Sequence, residues 1–309
     1  MSITVILNQM LILFFYILLG VILNRVGIIH TDFNQRLTKI VINVTMPCMI
    51  LASVLSQTGA RDMHALTTLS VIAVCTYIVL PIIAFVLVHI VPVKAEKQGL
   101  YMFMTIYSNV GFMGFPVLNA LYGSTAVFYA AIFNIVFNLS IYTYGVIIMH
   151  YKKGNASAAL NLRSLLSPGI SLSILAIFVY IFAIPFPAPL TSALASLGDM
   201  TVPLAMLIIG ATLGSMKLRE LFDDWKLYPY ILFRQFILPL LFFPILRFFI
   251  HDELILGVSF ILILMPVANT AALFANLYDN DAKLAAKTIF FTTLLSIVSI
   301  PLLVWVCGI

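Results

Sequence analysis

Long apolar stretches separated by short polar segments dominate the chain. A helix that crosses a bilayer needs about 20 mostly apolar residues, and ten stretches meet that length. They lie at roughly 4–24, 38–57, 66–90, 99–122, 125–149, 168–185, 190–214, 228–249, 254–278 and 285–307. The eighth is the least regular, because Arg234, Pro239 and Pro244 interrupt it. The pattern predicts an all-α membrane protein with ten transmembrane helices.

The fourth and ninth stretches contain residues that break helices. The fourth carries the run SNVGFMGFPVLNALYG, and the ninth carries Pro266. Proline lacks a backbone donor and glycine lacks side-chain restraint, so we expect a helix entering at Tyr101 to break near Gly114–Pro116. A broken helix is tolerated in a membrane where the freed backbone groups face protein or a wet cavity. Both breaks therefore mark candidate binding sites.

The charged residues favour a membrane orientation over a nucleic-acid partner. The chain is 63% hydrophobic and 9% charged, with a net charge of +5. Thirteen of its 16 Lys and Arg lie in one set of alternate loops, whereas the opposite set holds only Arg61 and Arg247. This asymmetry places both termini outside the cytoplasm. No basic patch with interleaved aromatic residues occurs, so we expect the lipid bilayer, and no nucleic acid, as the partner surface.

Short motifs recur in the two halves of the chain. Pro116–Asn119 and Pro266–Asn269 both read P-V-x-N, and Thr45-Met46-Pro47 matches Thr201-Val202-Pro203 at nearly the same offset. Five is an odd number of spans, so the second half enters the membrane from the opposite side. We expect a 5+5 inverted repeat: a first repeat at 1–150, a short cytoplasmic connector at 151–167 and a second repeat at 168–309.

The two broken helices of an inverted repeat are expected to cross near the membrane midplane. Each second half-helix then presents free amide donors and about half a positive charge to the crossing, which favours an anion. The candidate ligands for a carboxylate are the amides beyond the breaks and four polar side chains. The side chains belong to Asn109, Asn119, Asn269 and Thr270, and the crossover positions are Gly111, Gly114, Pro116 and Pro266. Alternatively, the asparagines only satisfy broken backbone or bond to neighbouring helices.

Three further polar features lie inside apolar stretches. Asn134 and Asn138 share one face of the fifth helix, where they either line a pathway or bond to a partner helix. Asp199, the only acidic residue well inside a span, is a candidate for proton coupling or for capping a helical segment. Arg234 either neutralises a bound anion or, as the better expectation, extends its charge to the cytoplasmic surface.

The remaining residue patterns exclude several function classes. The five histidines have no metal-ligand spacing, the three cysteines are odd in number, and no phosphate-binding loop or nucleophile motif occurs. We therefore expect neither a cofactor nor an enzyme.

Four segments resemble the auxin efflux carrier family of membrane transporters, whose prokaryotic members are often described as malate or malonate permeases. They are NVTMPCMILASVL at 43–55, SNVGFMGFP at 108–116, LGDMTVPLAMLIIGATL at 197–213 and MPVANTAALFANLY at 265–278. The resemblance implies a scaffold of spans one, two, six and seven, and a transport domain of spans three to five and eight to ten. It also implies an elevator movement, a homodimer, a substrate contact at Asn109 and crossover prolines at Pro116 and Pro266. The long cytoplasmic loop of the plant members is absent here.

The leading hypothesis is a secondary transporter of a small organic anion in the cell membrane, with possible coupling to protons. One alternative is a ligand-sensing membrane protein that keeps the transporter fold without net transport. Another is a sodium-coupled symporter similar to those for bile acids. A membrane-embedded enzyme is the least favoured, because no catalytic constellation is present.

Overall fold

The computed structural model describes residues 3–55, 62–91, 93–151, 168–182, 184–216, 222 and 227–309. In these residues the regular structure is helical, apart from one isolated antiparallel bridge between Ser108 and Val267. The helices, numbered in chain order, are α1 Ile3–Arg25, α2 Thr31–Leu55, α3 Met63–Ile90, α4 Gln98–Ile106, α5 Val110–Tyr122, α6 Ser124–Met149, α7 Pro168–Phe182, α8 Ala188–Gly214, α9 Leu227–Phe249, α10 Glu253–Leu264, α11 Thr270–Leu277 and α12 Ala282–Cys307. A short 3-10 turn, Ala95–Lys97, precedes α4.

Helix lies in each of the ten predicted apolar segments, and the fourth and ninth are each divided into two helices. In the part of the chain that the structure describes, six helices are long and apolar enough to cross a membrane: α2, α3, α6, α8, α9 and α12. The connector at 152–167, with its basic residues, lies outside the described residues, as does Arg61.

The second helix begins earlier than its hydropathy predicts. Its first part, Thr31–Ile40, is polar, and Arg36 forms an exposed ion pair of 3.1 Å with Asp32 one turn earlier. Charges lower the hydropathy of a segment but pairs spaced by four residues support a helix. The helix therefore extends beyond its apolar part.

Glycines allow very close packing of α1, α2 and α8. A Cβ atom on Gly20 would strike the carbonyl oxygen of Leu207, and one on Gly210 would strike that of Ile17. Small residues of this kind permit the close backbone approach that is typical of helix pairs in membranes. At Gly198 of α8, a Cβ atom would come within 2.8 Å of the α2 backbone at Met49.

Four helices contain a π turn, in which amides donate to the carbonyl five residues earlier. They lie at Val41–Thr45, Val110–Gly114, Ile141–Gly145 and Phe233–Ile237. Such turns are rare and occur frequently at functional sites. The turn in α5 begins at the helix break, and the turn in α9 carries two buried polar side chains, Arg234 and Gln235.

Candidate functional site

Two helices are interrupted where they meet. The first interruption is Tyr107–Asn109, between α4 and α5, and the second is Met265–Asn269, between α10 and α11. The pair of interruptions is called the crossing below. Pro266 lies in the second interruption, as its sequence predicts, because proline cannot donate the hydrogen bond that a continuing helix requires.

The position predicted for the first break is wrong. Gly114 has helical dihedral angles of −61° and −52°, and Pro116 lies in the first turn of the regular α-helix that follows the π turn. A proline there costs little. The chain instead breaks before Val110, where Asn109 begins the helix and its carbonyl oxygen accepts the Gly114 amide at 2.9 Å.

The two interruptions pair with each other as a very short antiparallel ladder. The Asn109 amide donates to the Pro266 carbonyl at 2.8 Å, and the Ala268 amide donates to the Tyr107 carbonyl at 3.0 Å. The Val267 amide has a side-chain acceptor, the Thr292 hydroxyl of α12, at 3.2 Å. Buried backbone groups freed by the breaks are thus satisfied within the protein.

Arg234 donates hydrogen bonds on the side of the crossing where α4 and α10 end. This is called the carboxyl-terminal side below, and the side where α5 and α11 begin is called the amino-terminal side. The Arg234 side chain is 1% exposed and belongs to α9. Nε donates to the Met104 carbonyl and Nη1 to the Ile263 carbonyl, both at 3.2 Å, while Nη2 donates to the Ser108 hydroxyl at 2.8 Å. Arg234 does not extend to the membrane surface, which corrects the expectation from its position in the sequence.

Gln235 adds a second bond to α10 and connects it to one further element, α12. Its Nε2 donates to the Leu264 carbonyl at 3.0 Å and to the Ser299 hydroxyl of α12 at 2.8 Å. Because the π turn widens the helix, consecutive side chains at 234 and 235 are both buried toward the crossing. Gln235, Ser108 and Thr292 were not among the predicted site residues, and Arg234 was considered only as a group that neutralises an anion or reaches the membrane surface. The one sequence signal was a basic residue inside an apolar stretch.

Asn109 lies at the amino-terminal end of α5. Its side chain is 4% exposed, and its Oδ1 accepts the Phe112 amide at 3.2 Å, so it caps the helix. Among the described residues, neither its Nδ2 nor the Thr270 hydroxyl at the start of α11 has a hydrogen-bond partner. Asn269 precedes α11, is half-buried and makes no capping bond. The structure therefore brings Asn109, Asn269 and Thr270 to the two helix starts at the crossing.

The other predicted site residues lie farther from the helix starts. Asn119 is half-buried near the end of α5, about 14 Å along the helix from Val110 at 1.5 Å per residue. Asn134 is 7% exposed. The side-chain Nδ2 of Asn138 donates to the backbone carbonyl of Asn134 at 2.6 Å, so Asn138 bonds within α6 itself. That Asn134 and Asn138 line a pathway stays a prediction.

The crossover glycines contact different neighbours. Gly111 is half-buried, and a Cβ atom there would lie 3.4 Å from Cε of Met46 in α2. Gly114 packs inward, since a Cβ atom would lie 2.9 Å from Leu262. The start of α5 is therefore directly beside α2.

Asp199 is exposed at the end of the helical segment Ala188–Asp199. Its predicted part in proton coupling stays a prediction. The ion pairs found among the described residues join Arg36, Lys97 and Arg247 to other carboxylates.

A large cavity lies away from the crossing. It has a volume of about 780 Å³ and lies between α1, α8 and α12, where Phe14, Leu18, Leu213 and Ile297 line it. Its lining is almost wholly apolar, with Arg25 and Thr293 as the polar exceptions. An apolar lining of this kind suits hydrocarbon better than a carboxylate.

Comparisons with known proteins agree with this architecture. The sequence matches the family described as Membrane transport protein over residues 5–304. It is 28% identical to an uncharacterized transporter of Methanothermobacter thermautotrophicus over 286 residues, which cover 93% of each chain. It is also 26% identical to an uncharacterized transporter of Methanocaldococcus jannaschii over 303 residues, covering 97% of this chain and 98% of the other. The chain belongs to the membrane transport protein family, the family of the auxin efflux carriers that its motifs indicated.

Proposed function

We propose that this protein is a secondary transporter of a small organic anion, and that a carboxylate group of the substrate binds at the helix starts of the crossing. The proposal rests on one observation. Two helices start at the crossing beside the buried side chain of Asn109, whose Nδ2 has no hydrogen-bond partner among the described residues. Each helix start contributes about half a positive charge, so the pair offers about one unit charge to a ligand.

The helices that begin at the crossing, α5 and α11, carry no acidic residue of their own. No Asp or Glu occurs between Gln98 and Met149, or between Leu254 and Tyr278. The Arg234 charge lies on the opposite, carboxyl-terminal side of the crossing. A carboxylate therefore complements the amino-terminal side, where it would accept hydrogen bonds from Asn109 Nδ2 and the Thr270 hydroxyl.

We further propose ten spans in a 5+5 inverted repeat, with alternating access of the elevator type. The antiparallel pairing of the two interruptions supports opposite orientations of the halves. Glycine contacts join α1 and α8, members of the proposed scaffold, whereas the Arg234 and Gln235 bonds join α4, α9, α10 and α12, members of the proposed transport domain. At Gly111 the two groups meet through an apolar contact with Met46, which is suited to sliding.

A homodimer through the scaffold and non-cytoplasmic termini complete the proposal. They rest on the family resemblance and on the loop charges, respectively. Proton coupling is kept as a separate hypothesis: if Asp199 carries the proton, flux driven by a pH gradient falls in Asp199→Asn. Unchanged flux in that variant counts against the hypothesis.

The test is uptake of radiolabelled malonate, malate and acetate into proteoliposomes that contain the purified protein. Asn109→Asp keeps the capping oxygen for the Phe112 amide but replaces the free donor with negative charge. We expect this variant to fold and to lose uptake, while Asn119→Asp, the matched control on the same helix, retains it. Binding without uptake by the wild-type protein would favour a sensor, and equal uptake by both variants would refute the site.

A further inference from the structure

The carboxyl-terminal side of the crossing has the ligand set of a cation site. The carbonyl oxygens of Met104 and Ile263 and the hydroxyl oxygen of Ser108 lie around one point, each within 3.2 Å of a different nitrogen of the same side chain. In transporters with broken helices, carbonyl groups at half-helix ends are typical ligands of a dissociable coupling cation. In this chain three guanidinium nitrogens of Arg234 occupy that point instead.

The charge of Arg234 matches what the crossing requires. The carboxyl-terminal ends of α4 and α10 carry about half a negative charge each, so one unit of positive charge balances them. Arg234 is 1% exposed, and the ion pairs among the described residues do not include it. A charge buried without compensation is strongly destabilising, so the helix ends and the three hydrogen bonds that Arg234 donates are the compensation that stabilises it.

The guanidinium is also held so that it cannot readily leave. It belongs to the π turn Phe233–Ile237, whose next residue, Gln235, is hydrogen-bonded to Leu264 and Ser299. Displacing Arg234 would remove the side-chain donor of the Met104 carbonyl and of the Ser108 hydroxyl, and would leave the Ile263 carbonyl only the longer bond of 3.5 Å from the Ser108 hydroxyl. Buried acceptors that lose their donors destabilise the arrangement. A sodium or potassium ion therefore has neither space nor free ligands at this point.

We propose that Arg234 is a tethered cation that permanently fills the coupling-ion position of the crossing, so that the site assembles without sodium or potassium. As a statement about coupling this rests on the proposed transport function, but as a statement about cation binding it does not. It disfavours the sodium-coupled symporter among the alternatives, because such a carrier needs a site that empties and refills.

The experiment measures thermal unfolding of the purified full-length protein in sodium, potassium and choline chloride at equal ionic strength. The wild-type midpoint is expected to be the same in all three salts. Arg234→Ser removes the tethered charge and leaves its acceptors beside a space, so its midpoint is expected to fall and to rise again, saturably, with sodium but not choline. Arg247→Ser is the matched control, because Arg247 is an exposed basic residue of the same helix that pairs with Glu253 at 2.6 Å. Its midpoint is expected to show no dependence on the cation.

Two results overturn the proposal. The first is a specific stabilisation of the wild-type protein by sodium or potassium. The second is a folded Arg234→Ser variant with wild-type stability and no cation dependence. If Arg234→Ser yields no folded protein, Arg234→Lys and Arg234→Met decide: recovery by Lys alone supports the need for charge, and equal yields contradict it. A protein that moves no carboxylate yet shows these salt effects would refute the proposed function and leave this inference intact.

Discussion

The hydroxyl of Thr292 offers a direct measure of how strongly α12 supports the crossing. It accepts the Val267 amide at 3.2 Å and donates to the Thr288 carbonyl at 2.7 Å, and the residue is fully buried. Thr292→Val keeps the shape and β-branching of the side chain but removes the acceptor. The Val267 amide is then buried without a partner, which costs about 1–3 kcal/mol.

The neighbouring Thr293 is the matched control. It is 2% exposed, and its hydroxyl has no hydrogen-bond partner among the described residues. Thr293→Val therefore replaces an unsatisfied hydroxyl with a methyl group of the same size, and we expect the free energy of unfolding to stay the same or to rise by up to about 1 kcal/mol.

Equilibrium unfolding of the two variants in mixed micelles, followed by tryptophan fluorescence or circular dichroism, measures the difference. Thr292→Val is expected to be less stable than Thr293→Val by about 1–3 kcal/mol. Equal stabilities, or a larger loss in Thr293→Val, would refute the assignment of Thr292 as a support of the crossing.

Two further predictions concern the protein outside the crossing and its helix packing. Burial acts to raise the pKa of Asp281 at the start of α12. The hydrogen bonds from Lys97, at 2.7 Å, and from the Leu284 amide, together with the positive charges of Lys97 and Lys287, outweigh the effect of burial, so the pKa lies below its usual value. A carboxyl group whose pKa is lowered by folding adds stability at neutral pH, and this stability is lost as the pH falls below about 4. The variant Asp281→Asn should therefore flatten the acid side of a plot of stability against pH. An unchanged plot would contradict this. Gly210→Ala places a Cβ atom against the Ile17 carbonyl and should destabilise the protein by about 1–3 kcal/mol. Gly111→Ala should fold normally. Similar midpoints of thermal unfolding for the two variants would show that α1 and α8 pack less closely.

Hydropathy was sufficient to predict where helices lie, because burial in lipid requires long apolar segments with internal hydrogen bonds. The break in the ninth segment was also predictable, since Pro266 cannot continue the hydrogen bonding of α10. The break in the fourth was not. Gly114 and Pro116 are locally the weakest points of that segment, yet the chain breaks earlier because the Asn109 amide and the Tyr107 carbonyl pair with the other interruption. That partner is distant in sequence, so local rules do not report it.

The role of Arg234 was hidden for a related reason. A basic residue two turns from a helix end usually reaches the membrane surface, and nothing in the neighbouring sequence argues otherwise. Its acceptors come from α4, α10 and the first interruption, and only the fold brings these together. By contrast, Asn109 was predicted either to bind a carboxylate or to satisfy the broken backbone. The hydrogen bond that its Oδ1 accepts from the Phe112 amide shows the second role, and the first stays a prediction.

The central claim, a carboxylate bound at the helix starts of the crossing, is tested most directly by ligand-induced thermal stabilisation. The purified protein, Asn109→Asp and Asn119→Asp are each heated with a panel of mono- and dicarboxylates, indole acids and bile acids. A small carboxylate is expected to raise the midpoints of the wild-type protein and of Asn119→Asp. In Asn109→Asp the affinity for the carboxylate should fall by about tenfold to a hundredfold. This corresponds to the loss of about 1.5–3 kcal/mol, the contribution of a hydrogen bond to a charged group. Equal stabilisation of Asn109→Asp, or stabilisation of the wild-type protein by bulky steroid acids alone, would contradict the central claim.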